Sequence, residues 1–318
     1  MKKIMIATIS VLFCHTLWAA TNKNLQPLTI ILDWFVNPQH APIIVAKEKG
    51  FFKQHGLKVN IIAPADPNDP PKLVAAGKAN IAVGYQPQLY VQVANGLPLV
   101  RIGTLVNSPL GVVMALKSSH INSIADLKGK TIGYSMSGIG SSILSAMLNY
   151  NRVNINDVKL VNVHYNLVQA LLSKHVDAVS DGQRNFEVPE VKLAKHSIRV
   201  FYPERNGVPK YDALIFLANR KELCDPRLIA FMQAIKEGTK YVKQHPKASW
   251  KLMLRHHPEL NNELNKQAWR ITLPYLDDHP LYLDKKRYNS FANWMLQHKL
   301  IHKILPLRYY AVDLNQNK

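Results

Sequence analysis

Leu32-Asp-Trp-Phe-Val-Asn-Pro-Gln-His40 separates an expected strand over 28–33 from an expected helix over 41–49 that Gly50 ends. The stretch sets a carboxylate, an indole, an amide and an imidazole where a strand hands the chain to a helix. In open α/β sheets small molecules bind at such carboxyl ends of strands. An aromatic face beside hydrogen-bonding groups suits a flat polar heterocycle better than a sugar or a peptide.

Working outward, the alternation continues. Residues 57–62, 80–83 and 99–103 read as strands. The loop Pro64-Ala-Asp-Pro-Asn-Asp69 leads to a helix with Asp69 as N-cap, Pro70 at its first position and Gly77 at its end. The pattern then restarts, with strands over 111–116, 131–134, 160–163 and 177–180 and helices over 141–150 and 167–174. Ser123-Ile-Ala-Asp126 has the form of a capping box. Such alternation predicts mostly parallel sheets covered by helices. Gly77-Lys-Ala-Asn-Ile-Ala-Val-Gly84 and Ser173-Lys-His-Val-Asp-Ala-Val-Ser180 align without gaps and share Lys, Ala and Val, a faint repeat consistent with two related lobes.

A strand over 212–217 is expected to return and pair with 111–116. Asp225-Pro226 opens a long helix with Leu228, Phe231, Ile235 and Val242 on one face, and helices around Trp250, Trp269 and Trp294 follow. The expected layout is a first lobe of 28–110 plus 206–318 with a second lobe, 111–205, inserted in it. Two chain crossings between lobes make a hinge, which suits a cleft that closes on a ligand.

Residues 1–20 read as a secretory signal peptide: Lys2 and Lys3, an apolar run over 4–18, then Ala19-Ala20. That run falls short of the ~18–20 residues of a membrane span. The mature protein is therefore expected to be exported to the periplasm. Cys14 leaves with the signal, and Cys224 alone supports neither a disulfide framework nor a zinc–thiolate site. With 47% apolar residues in 318, a large core is the source of stability. Without Lys2 and Lys3 the formal charge falls from +19 to +17, and the densest basic run is only Lys285-Lys286-Arg287. Dispersed charge on an exported chain reads as a solvated basic surface, with no nucleic acid partner.

Each candidate site residue carries a plain alternative. Trp34 is a stacking platform or a core indole, and Asp33 a ligand acceptor or a turn cap. Asn37 lines a pocket or caps the next helix, and His40 reads as structural. Tyr85 follows the strand 80–83, so it reaches the same sheet edge as Trp34. Ser135-Met-Ser-Gly-Ile-Gly140 puts Ser135, Ser137 and Gly138 before a helix start, where free amides hold oxygen atoms. Asn185 and Glu187 follow the strand 177–180, and Tyr211-Asp212 opens the returning strand. A carboxylate such as Glu187 matches the amino group and ring nitrogen of an aminopyrimidine, or else makes a salt bridge with Arg184. No Gly-x-Ser-x-Gly elbow and no His-Glu-x-x-His occurs, so no catalytic set or metal site emerges.

Taken together, the stretch 32–40 and Ala46-Lys-Glu-Lys-Gly-Phe-Phe52, Lys72-Leu-Val-Ala-Ala-Gly-Lys78, Tyr85-Gln-Pro87, Asp126-Leu-Lys-Gly-Lys-Thr-Ile-Gly-Tyr134 and Gly207-Val-Pro-Lys-Tyr-Asp212 resemble the solute-binding proteins for thiamine pyrimidine precursors. That family is shared with the fungal hydroxymethylpyrimidine phosphate synthases and related to alkanesulfonate and taurine binders. The resemblance covers roughly residues 28–245. It implies a two-lobed α/β periplasmic-binding-protein fold, a formylaminopyrimidine or hydroxymethylpyrimidine ligand in the inter-lobe cleft, no cofactor, and a monomer serving an ABC importer permease. By position it makes Trp34, Asn37, Tyr85, Asn185, Glu187, Tyr211 and Asp212 the pocket. The synthase branch needs a pyridoxal-phosphate lysine and a histidine four residues later, where this chain has Gly84 and Gln88. It also carries a cysteine-rich run where this chain has residues 207–212. A binder of a sulfonate or another heterocycle is the remaining alternative.

Overall fold

The computed structural model describes residues 24–136 and 139–315. The expected signal peptide and the expected contacts of Ser137 and Gly138 lie outside the described residues.

Ten strands form two five-stranded sheets. They are β1 (Gln26–Ile31), β2 (Leu57–Ile62), β3 (Ile81–Gly84), β4 (Leu99–Val106), β5 (Gly111–Leu116), β6 (Thr131–Tyr134), β7 (Lys159–Asn162), β8 (Ala178–Gln183), β9 (Ile198–Phe201) and β10 (Leu214–Asn219). The first sheet runs β2-β1-β3-β10-β4 and the second β7-β6-β8-β5-β9. Within each, a parallel trio (β2, β1, β3 or β7, β6, β8) is joined to its last strand through one antiparallel strand, β10 or β5. The faint repeat falls on β3 and β8, the middle strand of each order.

The strand opening near residue 212 does not pair with 111–116 as expected. β10 lies antiparallel between β3 and β4, while β5 lies between β8 and β9. All six residues of β10 and five of the six of β5 are buried. A continuous apolar run needs neighbours on both edges and cover on both faces, and each sheet offers one such central place. Pairing β5 with β10 would leave both sheets short of it. Side-chain alternation then sorts the second sheet's layers. Val112, Met114 and Leu116 join a cluster with Leu167, Val168 and Val191, while Val113 and Ala115 face Leu144 and Met147 on the other side.

Asp69 does not cap the helix Pro70–Ala75: its backbone is already helical and its side chain makes no cap bond. Pro71 has no N–H to offer, and Asp66 closes the turn by accepting from the Asn68 N–H at 2.8 Å. Ser123 does form its capping box, over the short turn Ile124–Leu127.

The helix Pro226–Gln244 buries Leu228, Phe231, Ile235 and Val242 against the first sheet's layer. At Gly238 an added Cβ would lie 2.4 Å from the Pro42 carbonyl oxygen, so only glycine lets this helix approach Ala41–Glu48 so closely. The chain's end is clasped by Arg101 of β4. This fully buried guanidinium donates to the carbonyls of Tyr282 at 2.6 Å and Val312 at 3.3 Å, and to Thr104 Oγ1 at 2.8 Å. The helix Glu263–Thr272 packs on both the turn Pro38–His40 of the first lobe and the helix Glu187–Leu193 of the second. It thereby ties the turn after β1 to the helix after β8.

Candidate functional site

One wall of the site is built by the turn after β1. Asp33 is buried, and its Oδ1 accepts from His40 Nε2 at 2.9 Å while Oδ2 accepts from the Tyr85 hydroxyl at 2.5 Å. His40 Nδ1 accepts the Asn37 backbone N–H at 3.3 Å, which assigns the imidazole proton to Nε2. Asn37 Oδ1 caps the turn by accepting from the Gln39 N–H at 2.9 Å, and its amide donates to the Phe35 carbonyl. Both readings of Asn37 therefore hold: it caps, and it lines the cavity. Burial, with the Asp33 carboxylate beside it, drives the Tyr85 phenol far above its ordinary range. Tyr85 stays neutral, its hydroxyl committed to Asp33 and its ring left as a surface.

The facing wall comes from the end of β8. Opposite the single residue Val113, β8 places two, Ser180 and Asp181, between the pairs Met114–Val179 and Val112–Gly182. This β-bulge puts Asp181 in the left-handed region, at φ 66°. Bulges turn side chains out of their alternation, and Asp181 here reaches the backbone N–H groups of Ser135 and Met136, both at 3.2 Å. Burial pushes its carboxyl up to about 6 against the pull of those two donors. Glu187 starts the next helix and accepts the Gln183 N–H at 2.7 Å. Burial raises it to about 7, so near neutral pH this carboxyl both donates and accepts.

Between the walls lies a small cavity. Trp34, Asn37, Gln39 and Tyr85 line it from the first lobe. Met136, Leu167, Asp181, Gln183, Phe186 and Glu187 line it from the second. The two sides touch. Gln39 Nε2 donates to Gln183 Oε1, and the Trp34 indole meets the Tyr165 ring edge-on at 4.5 Å between centroids. Tyr165 also donates its hydroxyl to the Pro64 carbonyl at 3.0 Å, so three contacts hold the cleft shut. A second small cavity shares Asp181 with the first and is lined also by Ser180 and Tyr211.

Of the residues expected at the site, Trp34, Asn37, Tyr85 and Glu187 converge on the first cavity. Ser135 supports it indirectly: its N–H holds Asp181 and its hydroxyl donates to the His164 carbonyl at 2.5 Å. Tyr211 faces the second cavity. Asn185 is fully buried, and its amide donates to Thr272 Oγ1 at 2.8 Å. Asp212 is consumed within the first lobe, where Thr104 and Tyr288 hydroxyls donate to Oδ2 at 2.8 Å each and the Arg287 guanidinium to Oδ1. Sequence reasoning missed Gln39, Met136, Leu167, Asp181, Gln183 and Phe186. Gln39 lay inside the quoted stretch, and Asp181-Gly182-Gln183 carries the Asp-Gly sign of a strand irregularity.

Among the described residues no group of three His, Cys, Asp or Glu could hold a metal ion, and no helix is long and apolar enough to cross a membrane. Residues 37–249 match the family described as NMT1/THI5 like. The chain belongs to the NMT1/THI5-like family. Over 290 residues it is 49% identical to a Haemophilus influenzae protein named for thiamine biosynthesis, covering 91% of this chain and 92% of that one. It is 32% identical to the formylaminopyrimidine-binding protein of Halalkalibacterium halodurans, covering 86% of this chain and 84% of the relative. More distant members of the NMT1/THI5-like family are enzymes, among them a Legionella pneumophila 4-amino-5-hydroxymethyl-2-methylpyrimidine phosphate synthase at 28% identity over 81% of this chain and 82% of its own. The fold is that of periplasmic binding proteins. It superposes on the alkanesulfonate-binding protein SsuA of Xanthomonas axonopodis pv. citri with a TM-score of 0.71, at 16% identity, over 90% of this chain and 98% of the other.

Proposed function

We propose that this NMT1/THI5-like protein captures a thiamine pyrimidine precursor, formylaminopyrimidine or hydroxymethylpyrimidine, between its lobes and delivers it to an ABC importer permease. The observation that carries this reading is the meeting of two ring-bearing residues, Trp34 and Tyr85, with the buried Glu187 carboxyl in one cavity. Rings offer faces to a flat heterocycle, and a carboxyl poised near 7 meets both an exocyclic amino group and a ring nitrogen. Asn37, with its amide already engaged in the turn, gives shape to the pocket edge. The basic start and apolar run of residues 1–20 suit export to the periplasm, where such a carrier works as a monomer. Lobes divided near residues 110 and 206 would close over the ligand by hinge motion.

A synthase activity is the rival reading, since the family holds both. In the resemblance, the enzyme's cofactor lysine corresponds to Gly84. A Cβ added at Gly84 would lie 2.5 Å from the Leu217 side chain of the neighbouring strand β10. A longer side chain there has to displace that strand's packing, which favours carriage over conversion. The test is isothermal titration of the mature protein with both pyrimidines and taurine, in wild type and Glu187→Ala. One-to-one pyrimidine binding lost in the variant is expected. Binding of taurine alone would overturn the reading.

A further inference from the structure

The second cavity shares the lining residue Asp181 with the first. Its walls are mostly apolar: Ile143, Leu144 and Met147 from the helix Ile139–Tyr150, Val113 from β5, and Pro203. Two hydroxyls interrupt them. Ser180 is 2% exposed, and its Oγ has no hydrogen-bond partner among the described residues. Tyr211 is 4% exposed, its ring packed on Phe291 and its hydroxyl 3.8 Å from where a Cβ on Gly111 would stand. An unpartnered hydroxyl in an apolar setting is costly unless something arrives to meet it. Ser180 is there because the bulge at Ser180–Asp181 keeps it on the face toward the helix Ile139–Tyr150 while Asp181 turns to the cleft.

We propose that this cavity is a second compartment of the ligand site, which receives a short uncharged arm of the pyrimidine ending in a carbonyl. The proposal rests on the pyrimidine reading above. Both hydroxyls belong to residues that line the compartment, and a carbonyl oxygen, with its two lone pairs, can accept from two donors. The apolar walls suit the methylene stem of such an arm. A phosphate or sulfonate does not fit: among the described residues no lysine or arginine lines the compartment, whereas the Asp181 carboxyl does. Arg184, whose charge acts on Tyr211, is held by both oxygens of Glu204 at 2.7 and 2.9 Å. The formylaminomethyl arm of formylaminopyrimidine meets these demands, whereas the hydroxymethyl arm is shorter and carries no carbonyl.

The experiment titrates wild type, Ser180→Ala and Tyr211→Phe with formylaminopyrimidine and with hydroxymethylpyrimidine, with thermal melts to confirm folding. Each variant is expected to weaken the formyl compound about three- to tenfold, the worth of one neutral hydrogen bond, and to shift the hydroxymethyl compound less than about twofold. Equal losses for both compounds, or no loss for either, would overturn the compartment while leaving the pyrimidine site standing. Wild type that binds neither compound would sink both.

Discussion

Asn185, on the loop after β8, donates its side-chain amide to the hydroxyl of Thr272, the last residue of the helix Glu263–Thr272, at 2.8 Å. Because that helix also packs on the turn Pro38–His40, this bond fastens the two walls of the cleft to a common strut. On the proposed binding function, Asn185 would act on the ligand through closure. Replacing it with Ala should leave the pocket lining intact and remove one buried hydrogen bond of the closed form, worth about 1 kcal/mol. Stopped-flow release is expected to speed up roughly fivefold. An unchanged release rate would mean that the strut is indifferent to closure.

Tyr85→Phe keeps the ring and strips one of two donors from the buried Asp33 carboxylate. The loss should destabilise the protein by about 1–3 kcal/mol, read as a lower urea midpoint. Ligand affinity should hardly move, because the hydroxyl is already spoken for. Weaker binding at unchanged stability would show that it turns to the ligand instead.

Glu187 makes stability depend on pH. The folded protein keeps the carboxyl's proton up to about 7, the unfolded chain only to its ordinary 4.5. Between those values the folded state binds more protons, so the ligand-free protein becomes harder to unfold as the pH falls from 7 to 4.5. The gain is on the order of 3 kcal/mol for this group alone. Urea midpoints at pH 5 and pH 8 measure it, and in Glu187→Gln the slope across this window should flatten.

Ligand capture should show the same group from the other side. An aminopyrimidine paired with a carboxyl shares one proton, whichever partner carries it. Below about pH 7 the free Glu187 already supplies that proton, and above it the complex must take one up. Affinity is expected to fall by up to about tenfold per pH unit above 7. Titrations in buffers of different ionisation heat should register proton uptake at pH 8 and little at pH 6.

Much of this was legible beforehand because short apolar runs bracketed by turn residues mark strands, and strand ends mark the site. Trp34 and Tyr85 were found that way. What the sequence could not carry was partner choice. The run Leu214–Asn219 declares that it is buried, but nothing in its five apolar residues says whether β3 or β5 lies beside it. Asp212 was misjudged for a similar reason: its acceptor capacity is used by Arg287 and Tyr288, 75 and 76 residues away. Asp181 was missed because a bulge extends β8 past its expected end and re-aims one side chain. The strand β9 escaped notice because it is a half-exposed edge of four residues.

Strand order in the first sheet has a consequence for how the molecule comes into being. β4 touches its sheet only through β10, which emerges more than a hundred residues later. The second sheet, in contrast, draws all five strands from one uninterrupted stretch, 111–201. The second sheet can therefore draw its strands from one local stretch, while the sheet beside Trp34 and Tyr85 waits with a gap for its keystone. If the chain is exported unfolded, as the proposed function has it, that delay is useful. The portion nearest the N-terminus cannot lock into its final shape until most of the polypeptide has passed.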